Sequence, residues 1–187
     1  MPPLWLLDVD GVLNAVSATV PRAWAQWRTG EAVADGVAWP IRYAPTLVRT
    51  IAGLHERGLV ECRWLTTWGD AANEDLRRLL GLPAFRVAAP PPAPSHAGGG
   101  HHGAGVAAED SAAPAPGWWK LAAVRALLTA ERRPVIWTDD ELRHHPEAVA
   151  WVRSCGVRSL LLSPRPDVGL TPRDLRDVQG FCQPRMR

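Results

Sequence analysis

Lysine is almost missing from this chain of 187 residues: of 21 basic side chains, all but Lys120 are arginine. Phenylalanine and tyrosine are nearly absent too, at two and one, against ten tryptophans. Cysteine occurs only as Cys62, Cys155 and Cys182, an odd number without metal-ligand spacing. That excludes a disulfide framework and a cysteine zinc site, and it fits a reducing cytosol. Charge of one sign is also lacking. A net charge of +2 gives no strong field for nucleic acid or an anionic membrane. No apolar run approaches the length of a membrane span, and Asp8 interrupts the N-terminal apolar stretch before it resembles a cleavable leader. No internal repeat is visible. These absences lead to the expectation of a soluble, cytoplasmic, single-domain protein, long enough to bury a substantial core. The retained lysine stands out, because a compact ammonium beside a carboxylate or phosphoryl group does what arginine's wide fork does poorly.

The chain instead carries a regular alternation of short apolar runs with helical patterns. Leu4–Leu7 reads as a buried strand that ends in Asp8-Val9-Asp10-Gly11. Residues 15–44 form an excursion with hairpin character, a flap carrying Trp24, Trp27 and Trp39. Pro45 opens a helix to about His55, with Leu47, Val48, Ile51 and Leu54 on one stripe. Residues 59–65 read as a second strand ending in Thr66-Thr67-Trp68-Gly69. A helix bearing Leu76, Leu79 and Leu80 follows, and then a short strand at Phe85-Arg86-Val87. Residues 88–116 are rich in Pro, Ala, Gly and His, without an apolar period, and read as a flexible low-complexity insert. Lys120 starts the next helix. Pro134–Trp137 is a strand ending in Thr138-Asp139-Asp140, Pro146 opens another helix, Ser159–Leu162 is a last strand, and Thr171-Pro172 begins a C-terminal helix. The fold class implied is α/β, a Rossmann-like doubly wound parallel sheet in one domain.

In such a sheet the ligand site lies beyond the C-terminal strand ends, at the switch in strand order. That rule gathers Asp8 and Asp10, Thr66 and Thr67, and Asp139 and Asp140, with Lys120 close by. Crowded carboxylates suit a hard, oxygen-loving cation such as Mg²⁺. Zinc is disfavoured, since no His or Cys joins the set.

This order of motifs resembles the haloacid dehalogenase-like (HAD) superfamily, in a small, capless form. Leu6-Leu7-Asp8-Val9-Asp10-Gly11-Val12-Leu13 is similar to its first motif, Trp64-Leu65-Thr66 to its second, Lys120 to its third and Ile136-Trp137-Thr138-Asp139-Asp140 to its fourth. The resemblance implies a Mg²⁺-dependent phosphohydrolase working through an aspartyl-phosphate. Asp8 would be the nucleophile and Asp10 the general acid/base, with the Asp10 carbonyl on the metal. Thr66 would contact the phosphoryl group and Lys120 would neutralise Asp8 and phosphate. Asp139 would ligate Mg²⁺, with Asp140 supporting the metal shell. Gly11, Thr67 and Trp68 adjoin the motifs as candidate substrate contacts.

Other readings fit less well. A two-component receiver domain would not end on a second acid pair. An Asp-x-Asp glycosyltransferase motif rarely opens the first strand, and Thr19 stands where a Ca²⁺ loop needs a bidentate Glu. A catalytically silent partner-binding protein of the same fold is the alternative, with no obligate protein partner evident. His96, His101 and His102 read as a solvated tract, His144-His145 as a helix-start surface position, and Arg77-Arg78 and Arg132-Arg133 as solvated helix faces and ends. The excursion is small for a folded cap, so the expected site is open and suits a phosphorylated small molecule or a nucleic-acid end. Trp24, Trp27, Trp39 and Trp68, with Arg22, Arg28 and Arg42, are candidates for a base-stacking, phosphate-gripping rim. The HAD domains associated with bacterial RNA repair carry a similar first motif.

Overall fold

The computed structural model describes residues 1–90 and 118–183. The tract of His96, His101 and His102, and nearly all of the 88–116 insert, lie outside the described residues.

Strand β1 (Leu4–Leu7) is buried at all four positions, as a central strand covered on both faces must be. After it the chain leaves the sheet and forms an antiparallel hairpin, β2 (Arg28–Ala34) and β3 (Val37–Tyr43). Its two-residue turn, Asp35-Gly36, has both φ values positive, at 51° and 75°. That is the type I′ geometry whose twist matches the flanking strands. The 15–44 excursion therefore ends in a hairpin over residues 28–43, with neither helix nor strand in residues 15–27.

The remaining strands are β4 (Glu61–Trp64), β5 (Arg86–Val87), β6 (Val135–Thr138) and β7 (Ser159–Leu162). With β1 they form one parallel sheet in the order β5-β4-β1-β6-β7. Helices α1 (Pro45–Glu56), α2 (Asp75–Leu80), α3 (Trp119–Glu131), α4 (Pro146–Ser154) and α5 (Pro172–Cys182) connect or follow the strands. Alternation along β1 separates the core into two layers. Trp5 and Leu7 pack with Leu47 and Ile51 of α1, Leu76 of α2 and Val178 of α5. Leu4 and Leu6 pack with Leu121 and Val124 of α3 and Val152 of α4. The fold is thus α/β, a five-stranded parallel sheet flanked by helices on both faces, compatible with the Rossmann-like expectation. No helix among the described residues is long and apolar enough to cross a membrane.

Two features of the sheet place the site. From β1 the chain builds outward through β4 and β5, then returns to the other side of β1 as β6, so β1 is the switch point. The register is also level: Leu7 pairs with Trp64 on one side and Thr138 on the other. The ladder runs one residue further, with Asp8 N donating to Thr138 O at 3.1 Å and Leu65 N to Leu7 O at 2.9 Å. Asp8, Thr66 and Asp139 therefore emerge from three adjacent strand ends.

One expectation fails on this scaffold. Arg133, read from sequence as part of a solvated helix end, is buried. Its guanidinium donates to Glu61 (2.6 Å), Glu131 (3.2 Å) and Pro2 O (2.6 Å), while Arg63 donates to Glu131 at 2.6 and 3.0 Å. The local sequence showed only a charged helix end, because of these partners only Glu131 is near in the chain, while Glu61 and Pro2 are distant. Burial opposes ionisation of Glu61, but Arg133 and Arg63 outweigh it and hold its carboxyl below the ordinary 4.5. Hydrogen bonding to Arg63 does the same for Glu131. Groups with lowered folded values stabilise the fold above their unfolded values, and that contribution is lost as pH falls through the folded ones. Arg133→Ala should therefore destabilise the protein by roughly 2 kcal/mol at pH 7, below the range for a fully buried pair because both glutamates are partly exposed. Urea melts at pH 7 and pH 3 check this: the gap between wild type and variant should shrink at pH 3, and an unchanged gap would assign it to the Pro2 contact instead.

Candidate active site

The β1 end delivers Asp8 into the space between β4 and β6, where Lys120 meets it. Lys120 lies in the first turn of α3, only 2 % exposed, with its ammonium 5.8 and 5.9 Å from the ring centroids of Trp118 and Trp119. Nζ donates to Asp8 Oδ2 at 2.6 Å and to Asp139 Oδ2 at 2.7 Å. The second oxygens of both acids are also engaged: Asp8 Oδ1 accepts from Val9 N at 2.7 Å, and Asp139 Oδ1 from Glu141 N at 3.0 Å. This buried carboxylate–ammonium–carboxylate bridge has the geometry for which a single lysine would be kept.

Asp140 is placed differently. It is half-buried and lines an open cavity of about 310 Å³ with Asp8, Asp10, Gly11, Thr67 and Lys120. Among the described residues no hydrogen-bond donor reaches its carboxylate. Carboxylate oxygens of Asp8, Asp139 and Asp140 lie within 4.8 Å of one another. Gly11 turns the chain beneath them at φ 70°, and a Cβ there would come within 2.5 Å of the Asp140 carboxyl carbon. Only glycine lets the acid sit there.

The electrostatics follow from three acids sharing one ammonium. Burial, with Asp8 as a second cause, pushes the Asp139 carboxyl up to about 7 against the pull of Lys120. Burial also raises Asp8, again opposed by Lys120, and burial plus Asp8 and Glu141 raise Asp140. Burial alone would lower Lys120, but Asp8 and Asp139 outweigh it and hold the ammonium charged. The site carries excess negative charge in a partly dry setting, which a divalent cation would relieve. The three acids offer oxygen donors only, a set that suits a hard cation rather than a soft one.

Asp10 sits at the cavity edge in a separate clamp. Asn14 Nδ2 donates to its Oδ1 at 2.7 Å and Trp68 Nε1 to its Oδ2 at 2.9 Å. Asn14 Oδ1 also accepts from Arg42 N of β3 at 2.8 Å, so the flap is tied to the first motif through one side chain. Asn14 had no assigned role in the sequence reading. Its position at the end of Asp-Gly-Val-Leu-Asn, where a side chain can bridge back across the turn, is the signal that was there to use.

All nine sequence-predicted residues converge on this region, with three differences of placement. Asp139 is fully buried with both oxygens engaged, whereas Asp140 faces the cavity. Thr66 is fully buried and accepts from Trp68 N at 3.4 Å, while Thr67 lines the cavity wall. Trp68 is buried, with its indole N–H spent on Asp10. The tryptophan rim also thins out. Trp24 donates to Leu170 O at 2.8 Å and packs on the core, as does Trp27, and Arg42 donates to Thr19 O at 2.9 Å. His145, half-buried, stacks on Trp118 at 4.0 Å rather than sitting freely on the surface. Comparisons of the chain with protein-family models, curated proteins and solved structures found no match.

Proposed function

We propose that this protein is a Mg²⁺-dependent phosphomonoester hydrolase of the haloacid dehalogenase-like type, with Asp8 as its nucleophile. The observation that supports this best is the pair of Lys120 contacts, 2.6 Å to Asp8 and 2.7 Å to Asp139, at a strand-end cavity that Asp10 and Asp140 also line.

Asp8, Asp140 and the Asp10 carbonyl would hold the cation, and Asp139 would instead hold Lys120 in line with Asp8. When bound, Mg²⁺ would offset the repulsion between carboxylate and phosphate and polarise the phosphoryl oxygens. Lys120 shares that task with a fixed ammonium in a site of low dielectric. Asp8 attacks phosphorus, the bond from phosphorus to the ester oxygen breaks, and Asp10 gives its proton to the departing oxygen. Asp10 then takes a proton from the water that attacks the Asp8 phosphate, releasing phosphate and restoring Asp8. The N–H groups of Asn14 and Trp68 keep Asp10 aimed through both steps.

The test is hydrolysis of a generic aryl phosphate with Mg²⁺, lost on adding a chelator. Failure to hydrolyse any phosphomonoester would instead favour a silent binding protein. Asp140→Asn separates the two acids of the fourth motif. It should raise the Mg²⁺ concentration for half-maximal activity, and for half-maximal thermal stabilisation, by at least about tenfold, since even outer-shell partners contribute 10–100-fold. An unchanged Mg²⁺ response would return the ligand role to Asp139.

A further inference from the structure

The second face of Asp10 opens onto another cavity, of about 280 Å³, lined by Asp10, Ala34, Asp35, Trp39, Thr67 and Trp68. Asp10 and Thr67 border both cavities, so the second begins where the departing oxygen would leave. Its wall is the tip of the β2–β3 hairpin. In the hairpin register Trp39 lies directly opposite Ala32, and directly paired residues share a face. Ala32 and Ala34 are buried, so Trp39 is on the inner face, yet its own side chain is half exposed. The small alanines beside it leave the indole uncovered. Of the four tryptophans of the expected rim, Trp24 and Trp27 pack on the core and Trp68 is buried against Asp10, so Trp39 is the one with a free face.

We propose that Trp39 is a stacking platform for the base of a nucleotide leaving group, with Asp35 as the acceptor for the base's N–H donors. This rests on the phosphohydrolase reading and narrows its substrate class. A large indole with an uncovered ring stacks any planar heteroaromatic group. Asp35, exposed at the turn, adds an acceptor at the same wall, and nucleobases carry ring or exocyclic N–H groups that a carboxylate can accept. A free mononucleotide and the phosphorylated end of a strand present the same chemistry.

The experiment compares kcat/KM for a nucleoside 5′-monophosphate, a 5′-phosphorylated oligonucleotide and ribose 5-phosphate, in wild type, Trp39→Ala and Trp39→Phe. Wild type should prefer one or both base-bearing substrates. Trp39→Ala should reduce that preference ratio about 5- to 150-fold, the equivalent of the roughly 1–3 kcal/mol of a base–aromatic stack, and Trp39→Phe should keep most of it. Independently of turnover, the Trp39 indole N–H resonance, assigned by its loss in Trp39→Phe, should shift on titration with guanosine and not with ribose. Turnover of ribose 5-phosphate with an unaltered ratio and a static resonance would overturn the platform and leave the phosphohydrolase standing. A shifting resonance in a protein that hydrolyses nothing would keep the platform and remove the reaction, and neither signal would remove both.

Discussion

Asp8→Asn is expected to lower Mg²⁺-dependent hydrolysis by at least about a thousandfold while leaving the fold intact or more stable. Loss of a covalent nucleophile removes the first chemical step, and single nucleophile deletions elsewhere reach about 10⁶. The stability half of the prediction comes from the same geometry. Asp8 is 7 % exposed, and burial raises its carboxyl above the ordinary range, so the charged form is held at a cost. Asparagine removes that charge and keeps an oxygen to accept from Lys120 or Val9, and Lys120 retains Asp139. A Tm equal to or above wild type, beside lost activity, is the signature of a site built for chemistry rather than stability. A large fall in Tm would make the bridge structural.

Lys120→Met should do the reverse and damage both. Methionine fills the volume but leaves Asp8 and Asp139 facing each other without a counter-charge, and breaking a buried pair from one side costs about 3–5 kcal/mol. Activity should fall by at least about a hundredfold. Lys120→Arg should not rescue it, because a broad planar guanidinium cannot reproduce the compact ammonium's bridge of 2.6 and 2.7 Å between the two acids. The double variant with Asp8→Asn tests the coupling: it should recover part of the stability lost in Lys120→Met, since one of the stranded charges is gone. Additive losses in chemical denaturation would mean that the two side chains do not interact as the distances indicate.

The scaffold was legible because its local signals agreed. The apolar run at Leu4–Leu7, the proline that starts α1 and the Thr171 cap of α5 each coincide with an element boundary. The strand-end rule then brought Asp8 together with Lys120 and Asp139, both more than a hundred residues further along the chain. What the sequence hid was the assignment within adjacent pairs. In Asp139-Asp140 and Thr66-Thr67 both members have the same chemistry, and which one turns inward depends on where each strand stops. Asp139 caps the 3₁₀ turn that follows β6 by accepting from Glu141 N, which fixes it inward and leaves Asp140 to the cavity. The tryptophan rim failed for a related reason. Composition showed ten indoles, but only the hairpin register separates Trp39, beside two alanines, from those that the core absorbs. The Arg63–Glu131–Arg133–Glu61 network was equally invisible, because its two halves, Glu61 with Arg63 and Glu131 with Arg133, meet only after the sheet forms.

If Asp8 carries the phosphoryl group, that bond can be trapped chemically during turnover. An acyl phosphate is reduced by borohydride to the alcohol, which converts a phosphorylated aspartate into homoserine. Wild type quenched during turnover of a phosphomonoester with Mg²⁺, then treated with borohydride, should show homoserine at position 8 by peptide mass spectrometry. The signal should vanish when chelator is added before substrate. Sustained hydrolysis with Asp8 unmodified, or with homoserine at Asp10, Asp139 or Asp140 instead, would rule out Asp8 as the nucleophile.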